Sequence, residues 1–445
     1  MLKKLKPKSE FSRNVLTLMT GTTIAQAIPI AISPIITRIY TPEDFGVFAL
    51  YMSVASILSV VATGRYELAI MLPKKDEDAI NIVALSIIIS FLVSFIAFLV
   101  VFFFNDSITK LLGNPEISSW LYFIPLSVLF TGVYQSFNYW SNRKKKYKRL
   151  ATSRVVKSGT TATSNLAFGL NGFGSGGLIG SSLLGQVVAT FILGRIALKE
   201  DSLFFSVIKK SKIFDLAKEY IKFPTWNLFS SFISTFRENF LILIFAKYFE
   251  LSFLGFYFFS KRLLMIPSGL LINAFADVFF QKISKVEEYV EIYEVAYAYF
   301  IKLFYLLTVP FIVFVLLLNT FVPIVFGDKW ADLSIYLIII SFPIYFNMLL
   351  GHFSKILLTT NKQEISFYFH FVKLILLGVI LLYIILIKLS FLEALVIISI
   401  FEICFILLGI LLIQKILKVK KYSYLLYGIV LLLIMVEIGI YNYII

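Results

Sequence analysis

The side chains able to do chemistry in this sequence are charges stranded inside long apolar runs. Arg237 and Glu238 fall near the middle of a run that Pro224 opens, and Asn227, Ser230, Ser231 and Ser234 precede them at spacings that keep one side of a helix polar. In the next run Arg262, Gly269, Asn273 and Asp277 stand at i, i+7, i+11 and i+15, again a single helical face. Lys261 lies beside that face, and Pro267 is able to kink the helix. An earlier run sets Ser56, Ser59, Thr63 and Glu67 on one face with Arg65 on the far side, and the first run offers Thr22, Gln26 and Ser33. An ionisable group at the bilayer centre costs about 2.5–3.5 kcal/mol, so each of these needs a partner or a water-filled cavity. Arg65, Lys302 and Lys355 have a third outlet, snorkelling to an interface. Lys373 and Glu402, near the middles of two later runs, suit an ion pair.

Other chemistries are poorly supplied. Cys404 is the single cysteine and lies in an apolar run, which excludes an intrachain disulfide and a cysteine metal site. His352 and His370 are too few for a histidine metal cluster, and no cofactor is expected. The series Gly169, Gly172, Gly174, Gly176, Gly177, Gly180 and Gly185 lacks the Gly-Lys-Ser/Thr of a phosphate loop. Its four-residue spacing suits close helix packing instead.

The elements that hold these residues follow from composition. Of 445 residues 59% are hydrophobic and 15% charged, against about 25% charged in soluble domains, and mean hydropathy is +0.89. The chain reads as an all-α integral membrane protein. Runs of about 20 residues, the length that crosses a bilayer, fall at roughly 15–36, 45–72, 79–104, 117–141, 151–171, 174–197, 223–247, 253–281, 297–326, 331–358, 365–387, 391–414 and 423–444. They leave no room for a soluble catalytic domain. Ala25-Gln26-Ala27 imitates a signal-cleavage site, but the run continues to Ile36, so an uncleaved first helix is expected.

A cytoplasmic N-terminus puts the basic groups Lys3 to Arg13, Arg143 to Arg149, Lys199 to Lys222 and Lys415 to Lys421 on the cytoplasmic side. The external loops are short and hold Arg38, Lys110, Lys247, Lys329 and Lys388. The net charge of +15 therefore reports topology and excludes nucleic acid as the partner; the Arg143 to Arg149 loop is expected to meet anionic membrane lipids. Between Leu198 and Lys222, Phe204, Phe205, Val207 and Ile208 mix with Lys209, Lys210, Lys212 and Lys218, the pattern of an amphipathic connector on the inner surface.

The sequence also repeats itself. Arg38-Ile-Tyr40 with Phe45-Gly46-Val47-Phe48 aligns at an offset of 209 with Lys247-Tyr-Phe249 and Leu254-Gly255-Phe256-Tyr257, and Trp120 aligns with Trp330 at 210. The expected organisation is a six-helix lobe over 1–197, the connector over 198–222, a second six-helix lobe over 223–416, and a basic linker with an extra span over 417–445. Six helices per half make the repeat parallel, a two-lobed transporter around a central cavity.

Asn14-Val-Leu-Thr-Leu-Met-Thr-Gly21, Ala25-Gln-Ala-Ile-Pro29, Ser33-Pro-Ile-Ile-Thr-Arg-Ile-Tyr40, Pro42-Glu-Asp-Phe-Gly46, Arg65-Tyr-Glu-Leu-Ala-Ile-Met-Leu-Pro73 and Gly177-Leu-Ile-Gly180 leading to Leu184-Gly-Gln186 together resemble the oligosaccharide flippase family. These are the Wzx-type polysaccharide biosynthesis proteins of the multidrug, oligosaccharidyl-lipid and polysaccharide exporter superfamily. The resemblance extends through about residue 416, and the final span departs from the family's even helix count. It implies alternating-access movement of undecaprenyl-diphosphate-linked oligosaccharide across the bacterial inner membrane, for O-antigen of lipopolysaccharide or another surface polysaccharide, with a polysaccharide polymerase as a downstream partner. On that basis Arg237, Arg262, Lys261 and Arg65 are the candidates for diphosphate or acidic sugar, because guanidinium matches phosphate geometry. Ser234, Asn227, Gln26 and Asn273 are those for sugar hydroxyls, and Glu238, Glu67 and Asp277 those for a coupling ion, proton or sodium. Two alternatives stand beside it. A drug or cation antiporter of the same superfamily would want an acidic cavity. A membrane polymerase or ligase would want a long external loop with catalytic residues, which this sequence lacks.

Overall fold

The computed structural model describes residues 10–284, 286, 288–360 and 362–418, so the expected span at 423–444 lies outside the described residues. Among the described residues every regular element is helical. The helices are α1 (Glu10–Ile39), α2 (Pro42–Ser59), α3 (Tyr66–Ala69), α4 (Asp76–Leu112), α5 (Ile117–Leu121), α6 (Ile124–Arg143), α7 (Tyr147–Leu170), α8 (Gly174–Glu200) and α9 (Ser202–Phe205). They continue with α10 (Lys210–Glu219), α11 (Leu228–Tyr248), α12 (Leu251–Ile283), α13 (Tyr289–Phe326), α14 (Leu333–Leu350), α15 (Lys355–Thr359), α16 (Gln363–Ile387) and α17 (Phe391–Leu417). A π-helical turn, Phe223–Asn227, leads into α11. Nine segments among the described residues are long and apolar enough to cross a membrane; the chain is a multi-pass membrane protein. By its contacts it divides into two compact units, Met1–Gly255 and Phe256–Ile445.

The repeat survives as element order: α1, α2, α4, α6, α7 and α8 are followed in the same order by α11, α12, α13, α14, α16 and α17. The starts of α2 and α12, and of α6 and α14, are each 209 residues apart. Thr41 caps α2 in a capping box with Asp44, satisfying backbone N–H groups that a helix start leaves orphaned. One turn later Gly46 meets the start of α12. A Cβ on Gly46 would stand 2.1 Å from the Leu251 carbonyl oxygen, and a Cβ on Gly255 would stand 1.8 Å from that of Pro42. Gly46 and Gly255 are repeat partners, and so are Pro42 and Leu251. The same contact is therefore made twice, once in each direction.

The second run departs from its expectation. A single helix over 45–72 is predicted, yet α2 ends at Ser59 and α3 begins at Tyr66, with Gly64 at φ 58° and Arg65 at φ 63° between them. Two successive left-handed residues cannot continue a right-handed helix; glycine adopts that conformation freely, whereas Arg65 carries strain of roughly 1–2 kcal/mol. At the matching register of α12, Asn273 and Ala274 stand in continuous helix. The break thus belongs to one copy of the repeat.

Unit 1 is tied at the end where α4 and α7 begin. Asp76 accepts from Arg143 at 2.8 Å and Lys144 at 2.7 Å, and buried Arg149 donates to Glu200 at 2.8 Å and Asp201 at 2.9 Å. The Trp140 indole shares Asp201 at 3.0 Å. Much of the basic loop expected to meet lipid is thus paired within the protein. The connector is docked there too: Phe204, Phe205, Val207 and Ile208 pack on the apolar core of unit 1. Lys212 pairs with Asp78 at 3.0 Å, and the Lys209 amide donates to Asn81 Oδ1 at 2.8 Å. Its apolar residues find protein where the sequence pattern laid them on lipid.

In unit 2, α14 is apolar on every side and is buried accordingly. Trp330 is fully buried ahead of it, with ring centroids 5.5 Å from Phe256 and 4.9 Å from Phe259. His352, buried among Phe279, Tyr299 and Phe353 with Nε2 3.2 Å from the Ala296 oxygen, serves packing. Lys373 and Glu402 pair at 2.5 Å between α16 and α17.

Crowding at a backbone carbonyl admits no side-chain adjustment, and overpacking of this kind costs about 1–3 kcal/mol. Gly46→Ala and Gly255→Ala should each lower the melting temperature of the detergent-solubilised protein. Gly269→Ala, where an added Cβ would meet nothing within 4 Å beyond its own stretch of helix, should leave it unchanged or raise it, since alanine is the better helix former by roughly 0.5–1 kcal/mol. Equal melting of all three variants would remove the crossing from its structural role.

Candidate functional site

The helix break creates the first polar cluster. In one continuous helix Arg65 and Glu67 would point apart; the left-handed turn brings Arg65 Nη1 to 3.3 Å from Glu67 Oε1. Glu67 and Thr63 are each 1% exposed, and the Thr63 hydroxyl donates to the second carboxylate oxygen. Arg65 also reaches α11, donating from Nη2 to Ser231 Oγ at 2.8 Å, while its Nε is buried without a hydrogen-bond partner among the described residues. Next to it, the Tyr66 hydroxyl donates to the Ala217 oxygen at 2.8 Å, tying α3 to α10. The result is a buried carboxylate whose two oxygens are held by a hydroxyl and a guanidinium, with the guanidinium shared by a second helix.

From Asn227, the last residue of the π-helical turn, into α11, Asn227, Ser230, Ser234 and Glu238 recur at i, i+3, i+7 and i+11, and all four are exposed. This is the polar side that the sequence spacing anticipates. Arg237 is half-buried beside it and has no ion-pair partner among the described residues. Gln26 on α1 is half-buried with its side-chain oxygen enclosed and unpartnered among the described residues. In unit 2 Arg262 and Lys261 are half-buried, and the Lys261 ammonium lies 5.8 Å from the Tyr257 ring centroid. The side chains of Asn273 and Asp277 lie outside the described residues. Unit 1 therefore gathers Arg65, Glu67 and Ser231. Asn227, Ser234 and Glu238 share the exposed stripe of α11, and Gln26 stands apart on α1.

Two cations escape the sequence reading. Arg154 and Lys157 lie on α7, inside the predicted span 151–171. Arg154 Nη1 donates to Thr22 Oγ1 at 2.7 Å, and Lys157 Nζ donates to Gln186 Oε1. Their signal was the one applied to the other runs, ionisable residues within a span, and α7 is also too polar to be among the nine membrane-crossing segments. Among the described residues no group of histidine, cysteine, aspartate or glutamate could hold a metal ion.

The sequence profile of a family described as polysaccharide biosynthesis protein matches residues 35–335. No curated protein sequence matches the chain. Several solved structures share its fold. The lipid II flippase MurJ in an inward closed conformation is similar at a TM-score of 0.64 and 12% identity, covering 96% of this chain and 98% of that one. An inward-facing multidrug resistance MATE family transporter of the MOP superfamily is similar at 0.59 and 14%, covering 91% and 96%. A MOP superfamily transporter from Pyrococcus furiosus, described by the reversed polarity of its binding pocket, is similar at 0.57 and 14%, covering 91% and 95%. At such identities the likeness is one of fold.

Removing one member of a buried ion pair strands the other, at about 3–5 kcal/mol when both are fully buried. Arg65 keeps 24% of its side chain exposed, so Arg65→Gln should fall at the lower end of that range. Combining it with Glu67→Gln should recover most of the loss. Thermal melts of the two single variants and the double variant form the cycle, and strict additivity would show that the pair is uncoupled.

Proposed function

We propose that this chain, which belongs to the polysaccharide biosynthesis protein family, is a flippase that moves a lipid-linked oligosaccharide across a membrane. The observation that carries the reading is Arg237, a guanidinium without an ion-pair partner among the described residues, beside the amide and hydroxyl stripe of α11. A cation needs an anion to enter hydrocarbon without penalty. A lipid diphosphate supplies the anion, its glycan supplies hydroxyls for the stripe, and its polyprenyl tail stays in lipid. Fold similarity to a lipid II flippase and to membrane transporters supports transport over catalysis, and so does the shortness of the predicted external loops.

In this reading the carrier is undecaprenyl diphosphate, and the membrane is the bacterial inner membrane with the N-terminus cytoplasmic. The cargo is the repeat unit of O-antigen or another surface polysaccharide, passed to a polymerase after alternating access. Arg237, Arg262, Lys261 and Arg65 meet diphosphate or sugar acid; Asn227, Ser234, Gln26 and Asn273 meet sugar hydroxyls. Arg65 adds a coupling device. Its guanidinium already serves Glu67 at 3.3 Å, so an arriving anion competes with that carboxylate, and protonating Glu67 frees the cation. Glu67, with Glu238 and Asp277, is thereby the route for a coupling proton or sodium ion.

The decisive experiment uses a strain lacking the protein. Its lipid-linked oligosaccharides are extracted after treating intact cells with a glycan-modifying probe confined to the outside. Complete repeat units inaccessible to the probe are expected. Units that reach the outside and only fail to polymerise would replace the flippase reading with an enzymatic one. Restoring the Arg237→Ala variant should leave export reduced by about tenfold or more, the loss of one charge-assisted contact, with normal protein in the membrane; full export would remove Arg237 from the site.

A further inference from the structure

Arg154 and Lys157 sit about a third and nearly halfway along α7. That helix is enclosed from two sides within unit 1. Against α1, a Cβ on Gly21 would lie 2.4 Å from Ala151 Cβ, and the Tyr40 hydroxyl donates to the Asn165 oxygen at 2.8 Å. Against α8, a Cβ on Gly185 would lie 2.0 Å from the Thr161 hydroxyl. The two cations are half-buried on this packed helix, where charge is costly, and both find only neutral oxygens. Arg154 uses one of its five N–H donors on Thr22, whose own hydroxyl donates onward to the Leu18 oxygen at 2.8 Å. Lys157 bonds the Gln186 amide, whose Nε2 is engaged with the Phe130 oxygen at 3.2 Å, and its ammonium stands 5.9 Å from the Tyr134 ring centroid. Among the described residues no carboxylate lies within 4.0 Å of either.

A second observation points to the same place. Gly21 meets Ala151 and Gly169 meets Ile39, each pair 130 residues apart, so α1 and α7 run parallel in fixed register. Gln26, five residues beyond Gly21, thus falls level with residue 156, beside Lys157. Its side-chain oxygen is buried without a hydrogen-bond partner among the described residues. A buried acceptor with nothing to accept calls for a donor, while two like charges without a counter-charge call for an anion.

We propose that Arg154 and Lys157 form a subsite for an oxyanion of the transported headgroup, with Gln26 receiving a hydroxyl beside it. The inference rests on the flippase reading for the identity of the cargo. The oxyanion is the carboxylate of an acidic sugar or a phosphate of the lipid carrier; an acidic sugar also supplies the hydroxyl for Gln26.

The test uses the full-length protein in lipid nanodiscs with two probes, glucuronate and inorganic diphosphate. Binding is measured by calorimetry and stability by thermal melting. Arg154→Gln with Lys157→Gln should weaken binding of at least one probe tenfold or more. Lys157→Arg should restore part of it, and Lys148→Gln, an exposed lysine at the start of the same helix, should change nothing. Because neither charge is compensated, the ligand-free double variant should melt at or above the wild-type temperature; a structural cation would give the opposite shift. Selective loss of glucuronate binding identifies the sugar acid, and selective loss of diphosphate binding identifies the carrier phosphate. The subsite is overturned if wild type binds neither probe, if the double variant binds both as wild type does, or if its ligand-free melting point falls by several degrees. The probe-accessibility assay on the same strains separates the two readings. Flipping by wild type with unaltered binding in the double variant sinks the subsite alone. Weakened binding in the double variant with no flipping by wild type keeps the subsite and sinks the cargo.

Discussion

In hydrocarbon neither a peptide group nor a charge finds water to bond with, so each must be satisfied by the protein itself. That constraint explains why every regular element among the described residues is a helix. It also sorts the charged side chains into two kinds. Lys373 with Glu402 and Arg65 with Glu67 are closed internally. Arg237, Arg154 and Lys157 are held by neutral groups or by none among the described residues.

The sequence showed the helical class and the element order of the repeat plainly, since each depends on composition or on spacing along the chain; Lys373 and Glu402 were legible as charges in mid-span, and their pairing across α16 and α17 comes from the fold. Arg65 and Glu67 were legible as residues but not as partners. Counting 100° per residue from Ser56 presumes an unbroken helix, and the Gly64–Arg65 turn invalidates the count. The glycine was the warning, because a glycine inside an apolar helical run is a natural place for the backbone to leave it. Arg154 and Lys157 do not stand out in the sequence because Ser153, Ser158, Thr160 and Thr161 make their surroundings polar. The helix that carries them is too polar to stand in lipid by itself, and it is covered by α1 and α8.

The ends of unit 1 teach a different lesson about reading charge. Lys and Arg runs between spans are good markers of side, but they do not say what the charges touch. Asp76 at one helix start, and Glu200 with Asp201 at a helix end far from it in sequence, collect Arg143, Lys144 and Arg149 into ion pairs. The pairing depends on where four helix ends meet, and one-dimensional patterning carries no trace of that.

The glycine crossing has a consequence for how this chain can change over time. Where a side chain is crowded, trimming its neighbour relieves it, and that is how packed cores drift. At Gly46 and Gly255 the neighbour is in each case a peptide carbonyl, of Leu251 and of Pro42, and no codon encodes a shorter carbonyl. Neither position has a compensating route, and each glycine's carbonyl partner lies one helical turn before the other glycine. The two halves, free to diverge nearly everywhere else, are bound to each other's history at that point.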